Sequence, residues 1–224
     1  MKLQQFDVEQ ACNGFPDNRQ LEFRFERCCI VLLVQHLLKS NGVHTKDVKK
    51  VFLRLEPRDS LGLHDVGDFE RIAEISWPFD CSNYFSAGAN ERSAILADAA
   101  EAALKALAQR RSWPVAPIRE IFSKIREANY TLEADRAKAC RSPDGTKRAR
   151  VSYFVDRTAF RVDVVISNAK QNVLLTKTVY SGPPTHGLCV DSVLGKPFWK
   201  SENEFIVPFR DSGVSNGEIL VVVQ

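Results

Sequence analysis

Apolar positions recur along this chain with two different periods. Between Asn90 and Asn129 the period is helical. Ile95, Ala99, Ala102 and Ala106 recur at spacings of four, three and four, and Leu96, Ala100, Ala103 and Leu107 run beside them. Two adjacent stripes make one broad apolar face, and because it is mostly alanine a neighbouring element can approach closely. Asn90 stands where an N-cap is expected. Glu91 sits at the positive helix end, and Arg110 and Arg111 at the negative end. Ser112-Trp113-Pro114 ends the helix, since a residue before proline avoids the α region. Pro117 suits the first position of a second helix, whose stripe is Ile118, Ile121, Phe122, Ile125 and Ala128. Glu120 and Lys124 form an i,i+4 pair on its wet side. Upstream, Leu21, Phe25, Cys28, Leu32 and His36 fit a further helix over 21–38, with Gly42 as its C′ residue. Its stretch Cys28 to Val34 is apolar on every side, so this helix is expected to be central.

Elsewhere the period is two. Val51, Leu53 and Leu55 mark a strand over 48–55. Phe69, Ala73, Ile75 and Trp77 mark another over 69–77, and the loop 58–68 between them is expected to let the two pair antiparallel. Residues 79–89 read as an irregular link, and 132–140 as either helix or strand. Ser142-Pro143-Asp144-Gly145 is a turn, because proline presets φ and glycine accepts positive φ. Three alternating runs follow: Ala149/Val151/Tyr153/Val155, Phe160/Val162/Val164/Ile166 and Val173/Leu175/Val179, joined through 156–158 and 168–172. They predict a β-meander. Two more strands lie at 205–209 and 218–223, the last expected to be interior or covered because Val221 to Val223 is continuously apolar. The expected class is therefore α+β: a mainly antiparallel sheet, the meander, covered by two or three helices. A single domain over 1–224 is expected, with soft boundaries near 83–90 or 141–146.

Composition adds little to this, with 224 residues of ordinary globular make-up. No apolar run approaches the ~20 residues of a membrane span, and MKLQQFDVEQ is polar where a signal peptide would be apolar. A cytoplasmic protein without membrane contact is expected. Cys12, Cys28, Cys29, Cys81, Cys140 and Cys189 contain no C-x-x-C pair, so reduced thiols are expected and a zinc site is not.

Charge changes the picture more. The net charge of +3 conceals 12 basic and 16 acidic residues over 1–104, 14 and 6 over 105–161, and 5 and 6 over 162–224. A basic middle lies between acidic ends, which suits a charged partner.

Candidate chemistry is sparse. His186, Cys189 and Asp191 share one loop, but nucleophile, base and orienting acid are rarely sequence neighbours, and there is no glycine-flanked serine elbow. No glycine-rich turn feeds a helix start, as phosphate binding would need. The expectation is a protein that is not an enzyme and uses neither cofactor nor metal. Two surfaces are candidates for a partner. One is acidic: Asp59, Asp65 and Asp68 in the 58–68 loop, with Glu202 and Glu204. The other is the basic hairpin 138–161, carrying Arg141, Lys147, Arg148, Arg150 and Arg161, where Arg148, Arg150 and Phe154 share one strand face.

The layout from Asn90 to Tyr180, an Ala/Leu-rich helix running into Trp113-Pro114, a second helix and then a meander, resembles bacterial immunity proteins of the contact-dependent-inhibition or polymorphic-toxin type. The resemblance implies a stoichiometric inhibitor that neutralises a cognate bacterial toxin by plugging its active site. Many such proteins are acidic because their nuclease targets are basic, and the net +3 here departs from that. The alternative is a nucleic-acid-binding module using the basic hairpin.

Overall fold

The first strand is one that the polar N-terminus conceals. β1 (Gln5–Gln10) has only Phe6 and Val8 as apolar positions, in alternation, and both are fully buried. The computed structural model describes residues 1–10, 19–57, 63–135, 138–184, 194–209 and 217–223; of residues 57, 65, 66 and 68 it describes the backbone alone. Contacts divide the chain into two units, Met1–Thr131 and Leu132–Gln224.

In the first unit α1 (Gln20–Asn41) follows the helical period of 21–38. It ends at Gly42, whose φ of 62° is the left-handed conformation glycine adopts without steric cost, and whose N–H reaches the Leu38 carbonyl at 3.2 Å. β2 (Lys50–Pro57) buries Val51, Leu53 and Leu55. Half of the expected 58–68 loop is a strand, β3 (His64–Phe69), which turns through Glu70 and Arg71 into β4 (Ile72–Phe79). Phe69 is thus not in register with Ala73 and Ile75. It ends a separate strand and is 74% exposed. β2 and β4 pair parallel, not antiparallel, because β3 takes the antiparallel place beside β4. The sheet order is β1-β2-β4-β3, with β1 parallel to β2.

The 79–89 link contains a short helix, α2 (Cys81–Ser86), capped by the Asp80 side chain, which accepts from the Asn83 N–H at 3.0 Å. α3 (Ala89–Arg110) starts two residues earlier than the expected cap at Asn90 implies. Gly88 takes the cap position with extended backbone, and Asn90 falls inside the first turn. The stripe Leu96, Ala100, Ala103 and Leu107 is fully buried, whereas Ile95, Ala99, Ala102 and Ala106 form a half-buried margin. The helix closes through Ser112 at φ 55°: the Ser112 N–H meets the Gln109 carbonyl at 3.3 Å and the Trp113 N–H meets Ala108 at 2.8 Å. α4 (Ala116–Glu127) carries Pro117 in its first turn and buries Ile118, Ile121, Phe122 and Ile125, with Glu120 and Lys124 paired at 2.8 Å. α1 packs on β1, α3 on β4, and α1, α3 and α4 on one another, so this unit is a helix layer over a mixed sheet.

The second unit has no helix among its described residues. β5 (Leu132–Asp135) and β6 (Cys140–Arg141) both pair with β7 (Lys147–Val155). β8 (Phe160–Asn168) and β9 (Val173–Gly182) complete the antiparallel meander. The turn at Asp144 forms as its residues imply. Asp144 accepts from the Ser142 hydroxyl at 2.5 Å and from the Thr146 N–H at 3.1 Å, and Gly145 has φ 74°. A second, three-stranded sheet is built from β10 (Phe198–Trp199), β11 (Glu204–Phe209) and β12 (Gly217–Val222). This sheet, not a set of helices, meets the inner face of the meander: Tyr180 stacks on Phe209 at 5.5 Å and the Trp199 indole N–H donates to the Cys140 carbonyl at 3.2 Å. Two apolar runs read differently in three dimensions. β12 is an edge strand whose Val221 is buried while Val222 is 52% exposed. β9 is a bulged edge strand whose Val173 is 62% exposed. The fold is α+β, but its sheets are mixed as well as antiparallel, and the helices cover the mixed one.

Candidate functional site

β7 and β8 alternate strictly, so the meander has two chemically distinct faces. Ala149, Val151, Val155, Phe160, Val162, Val164 and Ile166 are buried on one. The other is set by register. Arg148 lies opposite Arg141 on one side and Ser167 on the other; Arg150 faces Val165; Ser152 faces Asp135 and Asp163; Phe154 faces Glu133 and Arg161. Arg141, Arg150 and Arg161 are exposed, and Arg148, Phe154 and Val165 are partly so.

The charges on this face are interleaved. The Arg161 guanidinium meets Asp163 at 2.8 Å and lies 5.4 Å from the centre of the Phe154 ring. Asp163 also accepts from the Thr178 hydroxyl at 2.7 Å. Arg150 meets Asp135 at 3.5 Å. Arg141 and Arg148, directly opposed across β6 and β7, have no carboxylate partner among the described residues. Like charges in that position are unfavourable, so an anionic group from outside would relieve them. Lys147 does not belong to this face. Its ammonium reaches the Glu202 carbonyl at 3.3 Å and the Asn203 side chain at 3.0 Å.

The acidic candidates are not gathered in this way. Asp59 lies outside the described residues, and Asp65 and Asp68 are placed on β3 by backbone alone. They belong to the first unit, whereas Glu202 and Glu204 belong to the second, where Glu204 opens β11 at 4.0 Å from Lys200 and Glu202 is exposed. His186, Cys189 and Asp191 also lie outside the described residues. His36 is half-exposed on α1, its pKa lowered first by burial and then by Lys39.

One cluster has no counterpart in the sequence reading. Glu26 on α1 is 5% exposed. Its carboxylate accepts from the Tyr84 hydroxyl of α2 and from Arg92 of α3, whose Nε and Nη2 lie 3.0 and 2.9 Å from Oε1. Arg92 also donates to the Ala87 carbonyl at 3.3 Å. Burial, and then the adjacent Glu26 charge, push the Tyr84 phenol far up from its ordinary value. Phe23, Phe79 and Phe85 pack around the ring at 5.7, 5.3 and 5.0 Å. Every oxygen of the carboxylate is engaged, so the cluster joins three helices and offers no free acid or base. Its one sequence signal is Glu26 itself, which falls in the apolar period between Phe23 and Ile30.

Among the described residues no group of three or more His, Cys, Asp and Glu side chains is arranged to hold a metal ion, and no helix is long and apolar enough to cross a membrane. No protein-family model matches the chain, and neither does any curated protein or solved structure.

Proposed function

We propose that this chain is a non-enzymatic binding protein that neutralises a cognate bacterial toxin domain by forming a tight complex, and that the outer face of the meander is its interface. The observation that carries this reading is the interleaving of charge on that face. A polyanion laid across β7 and β8 would meet Asp135 and Asp163 between the arginines. A protein surface can instead answer each charge with its opposite and cover Phe154 and Val165 with apolar groups, which is how complementary interfaces gain specificity. The resemblance of the helix-to-meander layout to immunity proteins supports the same class. The open pair Arg141 and Arg148 supports an acidic group on the partner at that corner.

The test is affinity capture of the tagged chain from its native lysate, run beside the variant Arg148→Glu/Arg150→Glu. The expected result is one stoichiometric protein, absent from the variant, whose toxicity on expression alone is suppressed by co-expression of the chain. The same arginine pair also favours the second reading, nucleic acid on the hairpin 138–161. Salt-labile RNA or DNA captured by the wild type and lost from the variant would decide for it.

A further inference from the structure

We propose that the hairpin edge of the first unit, formed by Lys46, Lys49, Phe69 and Arg71, binds single-stranded nucleic acid. Backbone hydrogen bonds bring these residues together. The Lys49 carbonyl accepts from Gln4 at 2.8 Å, and the Arg71 carbonyl accepts from Lys49 at 2.8 Å and from Lys50 at 3.3 Å. The Thr45 side chain closes the turn that holds Lys46, and Lys2 bridges to His44 beside it. Lys2, Lys46, Lys49 and Arg71 are all exposed, and none has a carboxylate partner among the described residues. The totals conceal this: residues 1–131 hold 18 basic and 18 acidic side chains, so the unit is neutral overall. At this edge four lysine and arginine side chains stand with two exposed carboxylates, Asp47 and Glu70, among the described side chains.

The aromatic member is Phe69, 74% exposed at the last position of β3. The turn after it is strained. Glu70 and Arg71 have φ of 49° and 71°, a left-handed pair in which glycine or asparagine is usual. Such a conformation persists where its surroundings hold it, and here Lys49 and Lys50 hold it through the Arg71 carbonyl. The ring is therefore presented on a fixed tip beside cations that hold no carboxylate among the described residues. Cations that neutralise phosphates, next to an exposed ring on which a base can stack, are what sequence-independent single-strand binding requires. On the meander face, by contrast, Arg150 and Arg161 already hold carboxylates. This inference rests on the other unit and is independent of the proposed toxin complex.

The experiment measures fluorescence anisotropy of labelled 12-nucleotide oligo(dT) and oligo(U) with the full chain, across 50 to 200 mM salt. The expected result is binding that falls with salt. In Lys49→Glu/Arg71→Asn the slope should be shallower by about 1.4, for two lost phosphate contacts; asparagine tolerates the left-handed backbone. Phe69→Ala should weaken oligonucleotide binding roughly tenfold while leaving inorganic polyphosphate, which has no rings, bound as before. All these side chains are exposed, so unchanged circular dichroism and thermal unfolding confirm that the variants fold. No binding at 50 mM salt, or wild-type affinity in Phe69→Ala, would overturn the proposal. So would affinity that survives Lys49→Glu/Arg71→Asn but is lost in Arg148→Glu/Arg150→Glu.

Discussion

Glu26 is the residue whose environment sequence periodicity could flag but not explain. Its place between Phe23 and Ile30 marks a carboxylate on an apolar stripe, which is unfavourable unless partnered. The partners lie 58 and 66 residues away, on separate helices, and no local pattern announces them. Removing one partner of a buried ion pair leaves an uncompensated charge, so Glu26→Ala should cost about 3–5 kcal/mol in urea unfolding. Tyr84→Phe removes one hydrogen bond to a charged group and should cost about 1.5–3 kcal/mol. The same phenol gives a pH signature. Its pKa is raised in the folded chain, so the folded state holds a proton that the unfolded state releases from about pH 10 upward. Stability should therefore be constant below that value and fall as pH rises through it, and Tyr84→Phe should flatten the fall. Asp144 runs the other way. The Ser142 hydroxyl, then the Thr146 hydroxyl and N–H, hold its carboxyl down to about 2, and a carboxyl-carbon NMR titration should find it still ionised at pH 3.

At the scale of elements, the three long helices were legible, while the short α2 and the strand partners were not. The α4 stripe was legible because Ile118, Ile121, Phe122 and Ile125 at helical spacing leave one solution, and all four are buried, whereas Ala128, the fifth expected member, caps the helix end and is exposed. Phe122→Ala should cost about 3–5 kcal/mol by thermal or urea unfolding, as a fully buried ring leaves a cavity. The parallel pairing of β2 and β4 was not legible. Alternation fixes which face of a strand is buried, not the direction of its neighbour, and β3 was concealed because His64, Asp65, Gly67 and Asp68 resemble a loop. The apolar end of β12 misled for a related reason: an edge strand at the margin of a small sheet leaves alternate valines in water. Helix ends carry a finer prediction. Ser112 closes α3 in the left-handed conformation that costs a non-glycine residue roughly 1 kcal/mol. Ser112→Gly should therefore stabilise the chain by about 0.5–1 kcal/mol in thermal unfolding, less the extra freedom glycine gives the unfolded state. No gain in midpoint would mean that the serine hydroxyl offsets the strain.

For the whole molecule, the division between Thr131 and Leu132 separates two cores of different construction. One closes helices over a mixed sheet, through residues such as Val51, Ile75, Leu96 and Phe122. The other closes a meander on a three-stranded sheet, through Val151, Val164, Phe205 and Val221. The net charge of the chain follows the same division, since residues 132–224 hold 13 basic and 10 acidic side chains. If each core is complete within its own unit, a lesion in one should leave the other protected. Glu26→Ala provides that lesion, because Tyr84 and Arg92 belong to the first unit as well. Native-state hydrogen exchange should then show α1, α2 and α3 losing protection together, while the amides of Val151 and Val164 exchange at wild-type rates. Equal loss in both sets would mean that the two units open as one. In that case the Arg148 face could not be altered without reporting on the Glu26 cluster, and binding data on the meander variants would need a matched stability measurement before they could be assigned to contact.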